Sequence, residues 1–322
     1  MVAAGAACLV AVALAACGGS GAPAASSATW SAAVHPEPKG LPAGYSGIYG
    51  VSCPLPSFCA AVDESGDATF WNGATWSTPA PASPNGTLNS VSCTSATFCV
   101  ALSSQLAVTW NGNSWSAPVA VGPAPTGPTG GRYEVSCVSP TFCASVNTAG
   151  VVSLFDGTTW GHDAVVDDGT AAKPVQNVSC ASTTFCVVVS ATGNIAMFDG
   201  TTWSRRASPG RSPLHSVSCP LATFCMATDL TGNSLIWDGR AWRTGAVVPG
   251  AGALTFSVEC PTANNCTVAR SDGSVATWQD GAWGQPTPVL GGGTLATADV
   301  SCSAPSYCAL VASSGAVATS RP

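Results

Sequence analysis

The sequence predicts an all-β chain, a seven-bladed β-propeller of four-stranded blades, and three observations carry that prediction. Fourteen of the sixteen cysteines form seven pairs, each with five residues between its members: Cys53 and Cys59, Cys93 and Cys99, Cys137 and Cys143, Cys180 and Cys186, Cys219 and Cys225, Cys260 and Cys266, Cys302 and Cys308. The first members advance by 40, 44, 43, 39, 41 and 42 residues, the period of a four-stranded blade. The last unit lacks a fourth strand, and a segment that matches one stands alone near the N-terminus.

The second unit shows the elements in order. Val91-Ser92-Cys93 ends one strand, and Phe98-Cys99-Val100-Ala101-Leu102 begins the next across a short turn. A third strand, Leu106 to Trp110, meets Asn111-Gly112, a dipeptide that tolerates the positive φ angles of a tight hairpin, and Trp115 opens the fourth strand. The hairpin recurs as Trp71-Asn72-Gly73 with Trp76, Phe155-Asp156-Gly157 with Trp160, Phe198-Asp199-Gly200 with Trp203 and Trp237-Asp238-Gly239 with Trp242. In the sixth unit the glycine slips by one, to Gly281, ahead of Trp283. This internal pattern excludes helical solenoids of similar period. The aromatic pairs are expected to pack between neighbouring blades.

The seventh unit offers Ala316-Val317-Ala318-Thr319 as its third strand and ends at Pro322, while Ala28-Thr29-Trp30-Ser31 matches Ala74-Thr75-Trp76-Ser77. The N-terminal segment is therefore expected to complete the last blade and close the ring, leaving no open sheet edge between first and last blades. A five-residue spacing suits zinc poorly, and each unit supplies only two sulfurs. Disulfides across each blade's first hairpin fit better. In the chain-entropy model so small a loop contributes only about 2 kcal/mol per bridge, which makes the bridges local hairpin locks.

Composition narrows the partners. Charged residues make up 8% of the chain, against roughly 25% in an average soluble protein, and 35 glycines and 24 prolines supply turns. A formal charge of -6 and the lack of any Lys or Arg run remove the electrostatic footprint of a nucleic-acid binder. The three histidines, His35, His162 and His215, fall in different units, so neither a metal centre nor a Ser-His-Asp arrangement has support, and no cofactor is expected.

Leu9 to Leu14 is apolar, too short to span a bilayer, and followed by small residues, as in an export signal. Leu14-Ala15-Ala16-Cys17-Gly18 resembles the lipobox of bacterial lipoproteins, which implies diacylation of Cys17 and its exposure as the first mature residue. Residues 1–16 contain no Lys or Arg, unlike the usual start of such signals. The alternative is an ordinary Cys17 behind a plain secretory signal, and Cys8 would leave with the signal either way. The expected organisation is a signal peptide over 1–16, a lipidated cysteine and Gly/Ser/Ala/Pro-rich tether over 17–29, and one propeller over 30–322. That places the protein outside the cytoplasm, held by Cys17 to the outer leaflet of the cytoplasmic membrane, as a monomer.

Strand order puts the cysteine turns and the Asn-Gly or Asp-Gly hairpins on one face of the ring. The blade-to-blade loops, which vary, share the other face with the turns between second and third strands, and variable loops on a fixed scaffold are where function concentrates. Six residues entering the first strands also vary and should approach the central channel: Tyr49, Asn89, Tyr133, Gln176, His215 and Phe256. With Arg132 they form the candidate ligand-binding rim. Such a polar and aromatic rim suits a sugar, or is plain lining of the channel mouth.

Asp156-Gly157-Thr158-Thr159-Trp160 and Asp199-Gly200-Thr201-Thr202-Trp203 are loosely similar to the Asp-boxes of bacterial sialidases, which carry one more residue between acid and glycine and are structural there. That resemblance would ask for three arginines, with Arg132, Arg211 and Arg270 as candidates on the variable face, and for a tyrosine paired with a glutamate. Tyr133 and Glu134 are strand neighbours that point to opposite sides. Across Ser27 to Ser320 the chain resembles the cysteine-paired propeller repeats of exported proteins from high-GC Gram-positive bacteria. The expected function is a non-catalytic surface scaffold that recognises an envelope polysaccharide or a protein partner, with sialidase-like glycoside hydrolysis as the alternative.

Overall fold

The computed structural model describes residues 29–36, 47–84, 86–122, 133–167, 169–170, 173–291 and 293–321. Cys17, the signal, Lys39 and Arg132 lie outside them. Seven antiparallel sheets follow one another around a ring. Blade 1 runs Ile48–Leu55, Phe58–Asp63, Asp67–Trp71 and Ala80–Pro81 from the channel outward, and the next five blades repeat that order, blade 6 with its outer strand split into Ala282–Trp283 and Thr287–Pro288. Blade 7 takes Ala298–Ala304, Tyr307–Ala312 and Val317–Arg321 from the C-terminus and its outer strand, Thr29–Trp30, from the N-terminus. Trp30 pairs with Ser320, and Val34 bridges Val317, so the expected closure is present.

The second strands explain why the chain assembles as a ring. They read Phe-Cys-Val-Ala-Leu or close variants, are buried along nearly their whole length, and have blades on both sides, so both faces of the pleat must be apolar. The buried side chains form seven clusters, one at each junction between blades. The paired aromatics meet at a tilt across their own hairpin, as in Trp71 with Trp76 at 5.8 Å and Phe198 with Trp203 at 5.1 Å, and each pair also packs into the cluster shared with the preceding blade. Phe70 of blade 1 reaches Trp110 of blade 2 at 4.6 Å. The expectation of packing between blades thus holds for the clusters, while the pairing itself is internal to a blade.

Seven disulfides join the seven cysteine pairs, with Cα atoms 3.9 to 4.1 Å apart. The cysteine turn and the outer hairpin meet on one face. Trp71, Trp110 and Trp237 donate their indole N–H to the carbonyls of Pro56, Ala96 and Ala222 in the cysteine turns. Gly112 has φ +93°, and a Cβ there would stand 2.9 Å from Thr97 Cγ2, so both conformation and contact call for glycine. The Asp-Gly-Thr-Thr-Trp segment is a turn device in this fold: Asp156 Oδ1 accepts from the Thr158 and Thr159 N–H groups at 2.8 Å, and those bonds lower its pKa.

One element differs from expectation. In blades 1 and 2 the hairpin tryptophan makes a single bridge and the outer strand resumes only at Ala80–Pro81 and Val119–Ala120. Pro79 and Pro118 supply no N–H, and Ser77 and Ser116 accept instead from the Phe70 and Thr109 amides through their hydroxyls.

Candidate functional site

Every blade turns the edge of its first strand toward the centre, so seven strand edges with outward-pointing amides surround a channel with a cavity of about 500 Å³. Unpaired edge amides need acceptors. The residue before the first cysteine of each pair provides them. Ser52, Ser92, Ser136 and Ser179 accept from the N–H of the cysteine in the next blade, Cys93, Cys137, Cys180 and Cys219, at 2.9 Å. Ser218 does so for Cys260 at 3.0 Å, and Ser301 closes the circle onto Cys53 at 2.9 Å. A second tier lies two residues earlier, where Ser90, Asn177 and Ser216 accept from the valine amides of the following blades.

Blade 6 breaks the pattern with Glu259 in the serine position. Ser218 Oγ donates to its Oε2 at 3.2 Å. The channel walls enclose the carboxyl although part of its surface still meets channel solvent, and that desolvation, assisted by the negative charge of Asp299, pushes its pKa up to about 7. Asp299 itself is well held, since Val51 N–H, Val300 N–H and Ser257 Oγ donate to it at 3.0, 3.0 and 2.7 Å. With Glu134, three carboxylates line the channel, and no lysine or arginine does so among the described residues.

Of the expected rim, Tyr49, Asn89, Gln176, His215 and Phe256 line the channel at its variable-face end, and all are half-buried. His215 Nδ1 donates to the Phe256 carbonyl at 2.8 Å, which fixes that nitrogen as the protonated one, and the two rings lie 6.3 Å apart. Tyr133 does not belong to the rim. It is buried in the cluster between blades 2 and 3, and its hydroxyl accepts from Asn147 Nδ2 at 3.3 Å, while its neighbour Glu134 faces the channel. The alternation along a strand placed one of the two inward, and the longer apolar ring took the core.

Of the three candidate arginines, Arg132 lies outside the described residues, and neither Arg211 nor Arg270 lines the channel. Arg270 is buried and donates to the carbonyls of Pro249 and Gly250, so it ties a loop. Arg211 is exposed in a 3-10 turn over Pro209–Arg211. Among the described residues no group of three or more His, Cys, Asp or Glu could hold a metal ion, and no helix is long and apolar enough to cross a membrane. The serine tiers and Glu259 escaped the sequence reading, although Ser-Cys in six units and Glu-Cys in the sixth blade alone was a visible signal.

These features define a disulfide-locked, seven-bladed β-propeller with an acidic central channel. YCF48 bound to D1 peptide superposes with a TM-score of 0.66 at 16% identity, over 93% of this chain and 97% of that one. YCF48 from Cyanidioschyzon merolae gives 0.65 at 14% identity, over 91% and 99%, and the WD40 β-propeller domain of Doa1 gives 0.67 at 13% identity, over 86% and 94%. At these identities the likeness is one of fold. No family model and no curated protein matches the chain.

Proposed function

We propose that this protein is an exported, lipid-tethered propeller that acts as a non-catalytic binding scaffold, receiving an envelope polysaccharide or an exposed segment of a partner protein at the variable-face mouth of its channel. The observation that carries the reading is the mouth itself. Tyr49 and Phe256 offer ring faces, Asn89, Gln176 and His215 offer amide and imidazole groups, and the carboxylates below favour neutral or cationic groups over anionic ones. YCF48, of the same fold, has been solved with a peptide bound, which supports a binding role for propellers of this build.

The test compares the wild-type chain with a Tyr49→Ala/Phe256→Ala variant as bait in an envelope extract, with bound protein and glycan both quantified. Selective loss of a retained species from the variant is the expected result, and equal retention by both baits refutes the mouth as the site. The tether is tested by Cys17→Ser, which is expected to move the protein from the membrane fraction to the medium.

A further inference from the structure

The outer edge of blades 4 and 5 carries charge that the fold does not require. Residues 203–244 hold five of the ten cationic residues and two of the sixteen acids, whereas the rest of the chain holds five cations and fourteen acids. At the outer-strand positions after the hairpin tryptophan, blades 1, 2, 6 and 7 read Ser77-Thr78-Pro79, Ser116-Ala117-Pro118, Gly284-Gln285-Pro286 and Ser31-Ala32-Ala33. Blade 4 reads Ser204-Arg205-Arg206 and blade 5 opens with Arg243. Seven blades fold around one scaffold, and only these two put arginine on that outer strand.

The arginines are also placed for contact. Arg206, Arg211 and Arg240 are exposed and form no ion pair among the described residues, while Arg205 is 48% exposed despite Asp167 at 3.4 Å and Arg243 is 71% exposed beside Asp238. The two acids of the segment are occupied: Asp229 is buried and accepts from Thr231 and Asn233, and Asp238 caps its hairpin. The 3-10 turn with Arg211 packs against the outer strand Trp242–Thr244, which sets Arg211 at the outer edge of blade 5. Arg211 belongs to the variable face, Arg206 to the strand and Arg240 to the hairpin on the cysteine face, so the cations run as a stripe along the rim of the ring.

We infer that this stripe binds a linear polyanion, an anionic glycan chain whose phosphate or carboxylate groups take the guanidinium forks in bidentate pairs. Arginine suits that chemistry because its donors are fixed in a plane that matches an oxyanion. A narrow chain can follow the stripe, whereas an extended anionic plane such as a bilayer would also meet the net negative remainder of the surface. The site is separate from the channel mouth and stands without it.

The experiment measures binding of the disulfide-closed chain to polygalacturonate and to long-chain inorganic polyphosphate by fluorescence anisotropy, at low and at physiological salt. Large vesicles containing phosphatidylglycerol form a second arm. The variant is Arg206→Ser/Arg211→Asn/Arg240→Ala, with asparagine chosen because Arg211 has φ +52°. A Lys173→Ser/Arg321→Ser control removes cations elsewhere, and an unchanged melting transition verifies folding. The expected result is salt-sensitive polymer binding that the triple variant weakens about tenfold or more and the control leaves intact. Absence of polymer binding, retention by the triple variant, equal loss in the control, or binding to vesicles alone would each overturn the proposal.

Discussion

Six junctions between blades are stitched at the channel by a serine hydroxyl, and the junction from blade 6 to blade 7 carries Glu259 in the same position. The serines accept a neighbour's amide without net charge, and so they hold equally well at any pH. Glu259 sits in the same enclosure with an ionisable group beside Asp299, and its pKa rises to about 7 as a result. The difference teaches that a repeated scaffold absorbs charge at one position only by making that junction depend on protonation.

The largest expected effect comes from removing the difference. A group whose pKa is raised in the folded protein stabilises it fully below its unfolded value, and that stabilisation is lost as pH rises through the folded value. For Glu259 the window runs from 4.5 to about 7, which corresponds to about 3 kcal/mol. In urea titrations Glu259→Ser should therefore gain about 3 kcal/mol more over the wild type at pH 8 than at pH 4.5. A gap that is the same at both pH values would show that Glu259 is not the titrating group.

Next in size is the disulfide of an ordinary junction. Cys93→Ala with Cys99→Ala should cost about 2 kcal/mol, since the closed loop is short, and the loss should be independent of pH between 5 and 8. Ser92→Ala removes the acceptor of the Cys137 amide at the channel edge, and the same titrations should show a loss of about 1 kcal/mol, again without pH dependence. The smallest effect sharpens the comparison from the other side. Asp299→Asn removes the like charge but not the enclosure, which is the larger cause, so carboxyl NMR should show the Glu259 midpoint lowered yet still above 4.5. A return to 4.5 would reverse the order of the two causes.

The blades were legible in the sequence because their determinants are local and repeated. Cysteine spacing, the Asn-Gly and Asp-Gly hairpins and the tryptophan after them each reflect a constraint met inside one blade, and ring closure followed from one unmatched strand at Trp30. The channel was harder to read. Tyr49 and Phe256 line it and Tyr133, at the same offset from its cysteine, does not, because the choice between core and channel depends on what the adjacent blade leaves room for. Arg270 shows the same limit, since its carbonyl partners at Pro249 and Gly250 come from a loop with no motif. Glu259 was legible in principle as the odd member of an otherwise serine column, but a column shows its meaning only once adjacent first strands are known to face each other's amides.

The two faces of the ring offer the most direct test of the binding account. A photo-crosslinking residue is placed at Tyr49, on the channel mouth, or at Ser57, exposed in a cysteine turn on the opposite face, and each protein is irradiated in the intact envelope. The account predicts a defined adduct of protein or glycan from position 49 and none from position 57. Equal adducts from both positions, or an adduct from position 57 alone, would contradict a binding site at the variable-face mouth.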